Sequence, residues 1–143
     1  QPHLWLGVSS YCTPTHCDDA DNLILLLCGS KRLWITPPNS RAILQPTCIA
    51  QQCWANLLNP TDNHARDDVV ESNGENVTVA AVLKGVQALN LTLRAGEILY
   101  LPAGWFHFVQ NLEPTVMVNV WTAGRDRVAA GAGRVHRLSS REQ

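Results

Sequence analysis

Apolar residues in this chain come in short runs, and turn-forming residues interrupt them before a helix of ordinary length could form. Gly29-Ser30, Ala95-Gly96, Pro102-Ala103-Gly104 and Glu113-Pro114 fall between runs that alternate or are wholly apolar. This punctuation predicts eight strands: Leu4–Val8, Thr13–Asp19, Asn22–Cys28, Lys31–Thr36, Gln87–Leu93, Glu97–Leu101, Phe106–Leu112 and Thr115–Trp121. No long amphipathic helix competes with them, and no internal repeat is evident. Many short antiparallel strands in one small domain predict two sheets closed on each other, because an open sheet leaves its edges unpaired. The expected fold class is all-β, a jelly roll.

Residues 38–83 depart from this pattern. They contain Gln45-Pro46, Asn59-Pro60 and an acidic, polar stretch from Asp62 to Asn76. The expectation is a long inserted loop between the fourth and fifth strands, with helices near Cys48–Leu58 and Val77–Gly85. A connection this long usually carries function or moves. Residues 122–143 are rich in Gly, Ala, Arg and Ser and are expected to form a basic, flexible tail behind a domain at 1–121. The charges divide accordingly. Residues 1–124 hold six Lys/Arg against ten Asp/Glu, a balance of -4, and residues 125–143 hold five Arg against two acids, a balance of +3.

With 143 residues, 45% hydrophobic and 16% charged, the chain can bury one core and is not of disordered composition. A net charge of -1 gives no general pull toward nucleic acid or a membrane surface. The longest aliphatic run, Leu23 to Leu27, is far too short to span a bilayer. The five cysteines are odd in number and never in CxxC spacing, which argues against a secreted disulfide framework or a zinc finger. Reduced thiols and no visible signal peptide predict an intracellular protein, cytoplasmic or nuclear. The sequons at Asn76 and Asn90 would then carry no meaning. The chain starts at Gln1, as a fragment of a longer protein would.

His16-Cys17-Asp18 is the candidate centre of the chemistry. On an extended strand, residues i and i+2 project from one face, about 7 Å apart along the backbone. Two such side chains suit one metal ion. His107, after Pro102-Ala103-Gly104-Trp105-Phe106, is the candidate third ligand. Two imidazoles and a carboxylate on one face of an octahedral metal leave three positions open, the facial triad of non-haem iron(II) oxygenases. His-x-Asp by itself is weak evidence, because histidine–aspartate pairs are common in cores. His3, His64 and His136 have no carboxylate at a meaningful spacing.

The neighbouring residues strengthen the reading. Asn22 lies on the face of His16 if the strand register continues. Lys31 shares a face with Leu33 and Ile35, and an ammonium among apolar side chains needs an anion, either an internal carboxylate or a bound dicarboxylate. Asn119 interrupts an otherwise apolar strand and so should meet a polar pocket or partner.

Taken in order, Thr13-Pro14-Thr15-His16-Cys17-Asp18, Asn22, Gly29-Ser30-Lys31-Arg32 and Pro37-Pro38 resemble the first half of a JmjC-type, cupin-like hydroxylase core. Gly96 through His107, then Val118-Asn119-Val120-Trp121, resemble its second half. The resemblance covers about residues 4–121 and is strongest to the protein-hydroxylase branch that includes the asparaginyl hydroxylase of hypoxia-inducible factor. It implies a double-stranded β-helix and an Fe(II)- and 2-oxoglutarate-dependent oxygenase. His16, Asp18 and His107 would ligate Fe(II). Lys31 and Thr13 would hold the distal carboxylate of 2-oxoglutarate. Asn22 and Asn119 would line its metal-chelating end, and Trp105 and Trp121 would pack the barrel. O2 is the other cosubstrate, and succinate and CO2 are products. Asp18 and the lysine spacing favour hydroxylation of a protein side chain over the histone N-methyl-lysine demethylation for which many relatives carry Glu. Against the family pattern, the upstream tyrosine and the flanking segments that bind substrate or form homodimers are expected to be absent or truncated. A catalytically inactive binding module and a cupin isomerase on the same fold are the other readings.

Overall fold

The computed structural model describes residues 1–40, 69–72, 75–78, 88–122 and 134–139. Its strands are β1 (Pro2–Gly7), β2 (Cys12–Cys17), β3 (Asn22–Cys28), β4 (Ser30–Thr36), β5 (Val69–Ser72), β6 (Glu75–Thr78), β7 (Leu89–Arg94), β8 (Ile98–Leu101), β9 (Phe106–Asn111), β10 (Thr115–Trp121) and β11 (His136–Leu138). A single 3-10 turn, Pro38–Ser40, follows β4. The eight strands expected from the sequence correspond to β1–β4 and β7–β10, with ends displaced by at most two residues. No helix among the described residues is long and apolar enough to cross a membrane.

Two antiparallel sheets make the body. One has the order β1-β10-β3-β8-β11 and the other β2-β9-β4-β7. Strands β1 to β4 alternate between the sheets, as do β7 to β10, which is the jelly-roll winding of a double-stranded β-helix. Strand alternation then decides what the sheets bury. Ile24 and Leu26 of β3 and Leu99 and Leu101 of β8 point in from the first sheet. Leu33 and Ile35 of β4 and Leu93 of β7 meet them from the second. The apolar core these seven form closes one part of the interior, and polar side chains from the same strands line the rest.

Two turns fix how strands pass between the sheets. Gly29 connects β3 to β4 with φ +81°, where an L side chain is strained, and an added Cβ would collide with the carbonyl oxygen of Pro114. Asp21 accepts from the backbone N–H of Ala103 at 2.8 Å and from the Tyr100 hydroxyl at 2.9 Å. It thereby ties the turn before β9 to the start of β3.

The expected loop and tail differ from the structure in two places. β5 and β6 pair antiparallel, with Val69 opposite Thr78. Val77 and Thr78 are therefore strand, not the start of a helix. The remainder of that expected helix and the one near Cys48–Leu58 lie outside the described residues. The hairpin signal was Asn73-Gly74 between two β-prone runs, a pair suited to a two-residue turn. In the expected tail, His136–Leu138 pair with β8 and extend the first sheet. Among the described residues, Cys12 and Cys28 are free thiols.

Candidate metal centre

His16 and His107 are direct cross-strand partners on β2 and β9, so the ladder itself brings their rings together, with centroids 4.2 Å apart. Asp18 follows β2 immediately. One ligand atom from each of His16, Asp18 and His107 lies within 4.8 Å of the others. His16 Nε2 is 3.9 Å from Asp18 Oδ1.

Both histidines are oriented from behind. His16 Nδ1 lies 2.7 Å from the carbonyl oxygen of Pro14, and His107 Nδ1 lies 3.1 Å from that of Trp105. A carbonyl only accepts, so each Nδ1 carries a proton and each Nε2 is the ring atom left to face a metal. This is the arrangement that metal-binding imidazoles commonly show. Burial is the main cause that pushes His107 down to a pKa of about 4, with a smaller contribution from nearby His16 and opposition from Asp18 and the Trp105 carbonyl. His107 is therefore neutral at physiological pH and available as a ligand. Two imidazoles and one carboxylate with their donors converging fit a divalent transition metal such as Fe(II).

A β-bulge makes the site possible. Thr13 and His16 are three residues apart and would face opposite sides of a regular strand. The register of β2 on β9 shifts between them, from Thr13 opposite Val109 to His16 opposite His107, which leaves one extra residue on β2. Both side chains then line one cavity of about 480 Å³ between the sheets. Pro14 sits within the bulge, where a strand tolerates a residue without an N–H.

Asn22, Lys31 and Asn119 line the same cavity. Lys31 is 8% exposed, and burial lowers its pKa. Its Nζ donates to Asn111 Oδ1 at 2.8 Å, and no carboxylate among the described residues forms an ion pair with it. Asn111 in turn donates to the Val8 carbonyl oxygen at 3.0 Å. Gly7 makes room for that amide, since an added Cβ would collide with Asn111 Nδ2. Lys31 stands opposite Asn111 in the β4–β9 ladder. Asn111 is four residues from His107 on β9, roughly 13 Å along the strand. The cavity thus has a metal-ligating end and a cationic end on one face of one sheet.

Asn111 was not among the residues singled out from the sequence. Alternation from His107 through Val109 to Asn111 places it on the ligand's face, and that was the available signal. Trp121, expected to pack the barrel, packs edge to face with Trp5 and also donates its indole N–H to Asp18 Oδ2 at 3.0 Å. Trp105 packs against the core, as a bulky aromatic should. Asn22 and Asn119 bond to each other at 2.9 Å, and Asn22 also donates to Asp18 Oδ2 at 3.4 Å.

Residues 1–124 match the family model of the cupin-like domain. The chain is 31% identical over 127 residues to the human bifunctional peptidase and (3S)-lysyl hydroxylase JMJD7, covering 83% of this chain and 40% of that protein. It is 30% identical over 120 residues to lysine-specific demethylase JMJ31 of Arabidopsis thaliana, covering 83% and 20%. It is 31% identical over 117 residues to Jumonji C domain-containing protein 5 of Drosophila melanogaster, covering 82% and 26%. A solved structure of Bacillus subtilis oxalate decarboxylase aligns with 90% of this chain and 22% of its own, at 12% identity and a TM-score of 0.47. The chain spans 40% or less of the length of each of these curated relatives.

Proposed function

The chain belongs to the cupin-like family, among relatives that bear JmjC names, and on that premise we propose that it is an Fe(II)- and 2-oxoglutarate-dependent oxygenase that hydroxylates a protein side chain. The observation that carries the proposal is Lys31. An ammonium this buried, bonded to a neutral amide and without a described carboxylate partner, calls for an anion from outside the chain. It shares its cavity with a triad of metal-ligand type, so the fitting guest is a short dianion with one end for each. 2-Oxoglutarate has that form.

In this reading His16, Asp18 and His107 hold the metal, Lys31 and Thr13 take the distal carboxylate, and Asn22 and Asn119 border the chelating end. Bound iron(II) supplies the redox chemistry, in which O2 and 2-oxoglutarate yield succinate, CO2 and one oxygen atom for a substrate C–H bond. The chain's own residues orient and exclude. The Nδ1–H bonds to Pro14 and Trp105 keep both Nε2 atoms aimed at one point. Ile24, Leu33 and Leu93 give the cavity dry walls, which strengthen the attraction of Lys31 for its anion. Tyr11, Leu6 and Val8 are exposed and also border the cavity, an apolar margin for an incoming protein segment. The hydroxylase name of the human relative supports a protein substrate.

The test is succinate release from 2-oxoglutarate with Fe(II), followed by mass spectrometry of candidate peptides for the gain of one oxygen. His107→Ala should abolish turnover, because two ligands hold iron poorly. Formaldehyde from methylated peptides would move the reaction to N-methyl-lysine demethylation. Absence of 2-oxoglutarate binding in the presence of Fe(II) would defeat the proposal.

A further inference from the structure

The two oxygens of Asp18 have different surroundings. Oδ1 faces His16 Nε2 at 3.9 Å. Oδ2 accepts from Trp121 Nε1 at 3.0 Å and from Asn22 Nδ2 at 3.4 Å. The second of these bonds is the end of a longer line. Asn22 Oδ1 accepts from Asn119 Nδ2 at 2.9 Å, and Asn119 Oδ1 accepts from Trp5 Nε1 at 2.8 Å. The line crosses three adjacent strands, β1, β10 and β3.

Its direction follows from donor chemistry. An indole N–H can only donate, and an ionised carboxylate can only accept. With Trp5 at one end and Asp18 at the other, each asparagine must turn its oxygen toward Trp5 and its NH2 toward Asp18. Asn119 is 1% exposed and Asn22 is nearly as buried, so water does not readily replace either partner.

We infer that Trp121 and Trp5 are positioning residues for the metal: Trp121 directly, and Trp5 through Asn119 and Asn22, occupy Oδ2 and hold Asp18 as a one-oxygen ligand. The inference rests on the reading of the triad as a metal site. A carboxylate free to chelate with both oxygens would take a further coordination position. One held by Oδ2 leaves that position for the chelating cosubstrate or for O2. The two indoles also support each other, edge to face with centroids 6.2 Å apart. Since β1 is an edge strand of its sheet among the described residues, a displacement of β1 reaches the metal carboxylate through Trp5.

The test is a titration with Mn(II) alone, read by the electron paramagnetic resonance of the free ion, so that neither 2-oxoglutarate nor turnover is needed. Trp121→Phe removes the N–H and keeps a ring. It should weaken Mn(II) binding about 10- to 100-fold, as loss of an outer partner of a ligand commonly does. Trp5→Phe should weaken it by a smaller factor, and both apo variants should still melt cooperatively. Mn(II) affinity equal to the parent's in Trp121→Phe would overturn the inference while leaving the metal site intact. If the parent binds no Mn(II), or His107→Ala binds it as well as the parent, the metal site itself fails and the inference with it. Should Trp121→Phe not fold, the unmutated protein decides. Saturation with diamagnetic Zn(II) should shift the indole N–H resonances of Trp121 and Trp5 in a nitrogen-15 spectrum, and an unchanged indole spectrum would overturn the inference.

Discussion

Lys31 separates a structural role from a ligand-binding one by the sign of its effect on stability. Moving an ammonium out of water costs several kcal/mol, and the amide of Asn111 offsets little of that. Lys31→Met keeps the volume and removes the charge. The apo protein should then melt at the same temperature or higher in a calorimetric scan. The same variant should bind 2-oxoglutarate about 100-fold more weakly by titration calorimetry, a loss of about 3 kcal/mol that is ordinary for one partner of a buried charge pair. A lysine that served only the fold would show the reverse. His107 gives a second prediction at this scale. Its pKa falls from the ordinary 6.5 in the unfolded chain to about 4 in the folded one, chiefly through burial. Between those values the unfolded state holds the proton and the folded state does not. Stability contributed by neutral His107 is therefore full above pH 6.5 and is lost as pH falls toward 4. Metal-free protein should melt progressively lower across that window, and His107→Leu should flatten the profile.

At the scale of strands, the site depends on crossings that bring distant residues into contact. Gly7 of β1 leaves space for Asn111 of β9, which holds Lys31 of β4. Gly7→Ala should displace the Asn111 amide and weaken 2-oxoglutarate binding about 10-fold, as loss of roughly one hydrogen bond to a charged group does. Alternation along β3, β4 and β9 was readable from the sequence, and it places Asn22, Lys31 and His107 on inward faces. The bulge in β2 was not. It depends on the register of β2 against β9; Pro14 within the run signals a bulge or an edge strand and does not by itself choose between them.

For the whole molecule, metal and cosubstrate are expected to act as a clamp between the two sheets. The triad belongs to the sheet of β2 and β9, and the groups that bond Asp18 come from β3 and β10 of the other. Ligand present at 100 times its dissociation constant adds about 2.7 kcal/mol. For a domain of this size that corresponds to a rise of about 10 °C in melting temperature. Thermal melts with Mn(II) and 2-oxoglutarate should show that rise, EDTA should reverse it, and His107→Ala should eliminate it.

The sequence by itself determined the strands, the inward faces and the kinds of residue that could meet at a metal, because side-chain alternation and turn chemistry act between near neighbours. It also carried, unread, the Asn73-Gly74 hairpin signal and the alternation that includes Asn111. Only the tertiary structure decided that Trp121 donates to Asp18 across 103 positions and Trp5 to Asn119 across 114. It also decided that Lys31 meets an amide and not a carboxylate, and that His136–Leu138 add an edge strand. These outcomes depend on which strands pair and in what register. That is set by the burial of the whole core, and no local stretch of sequence encodes it.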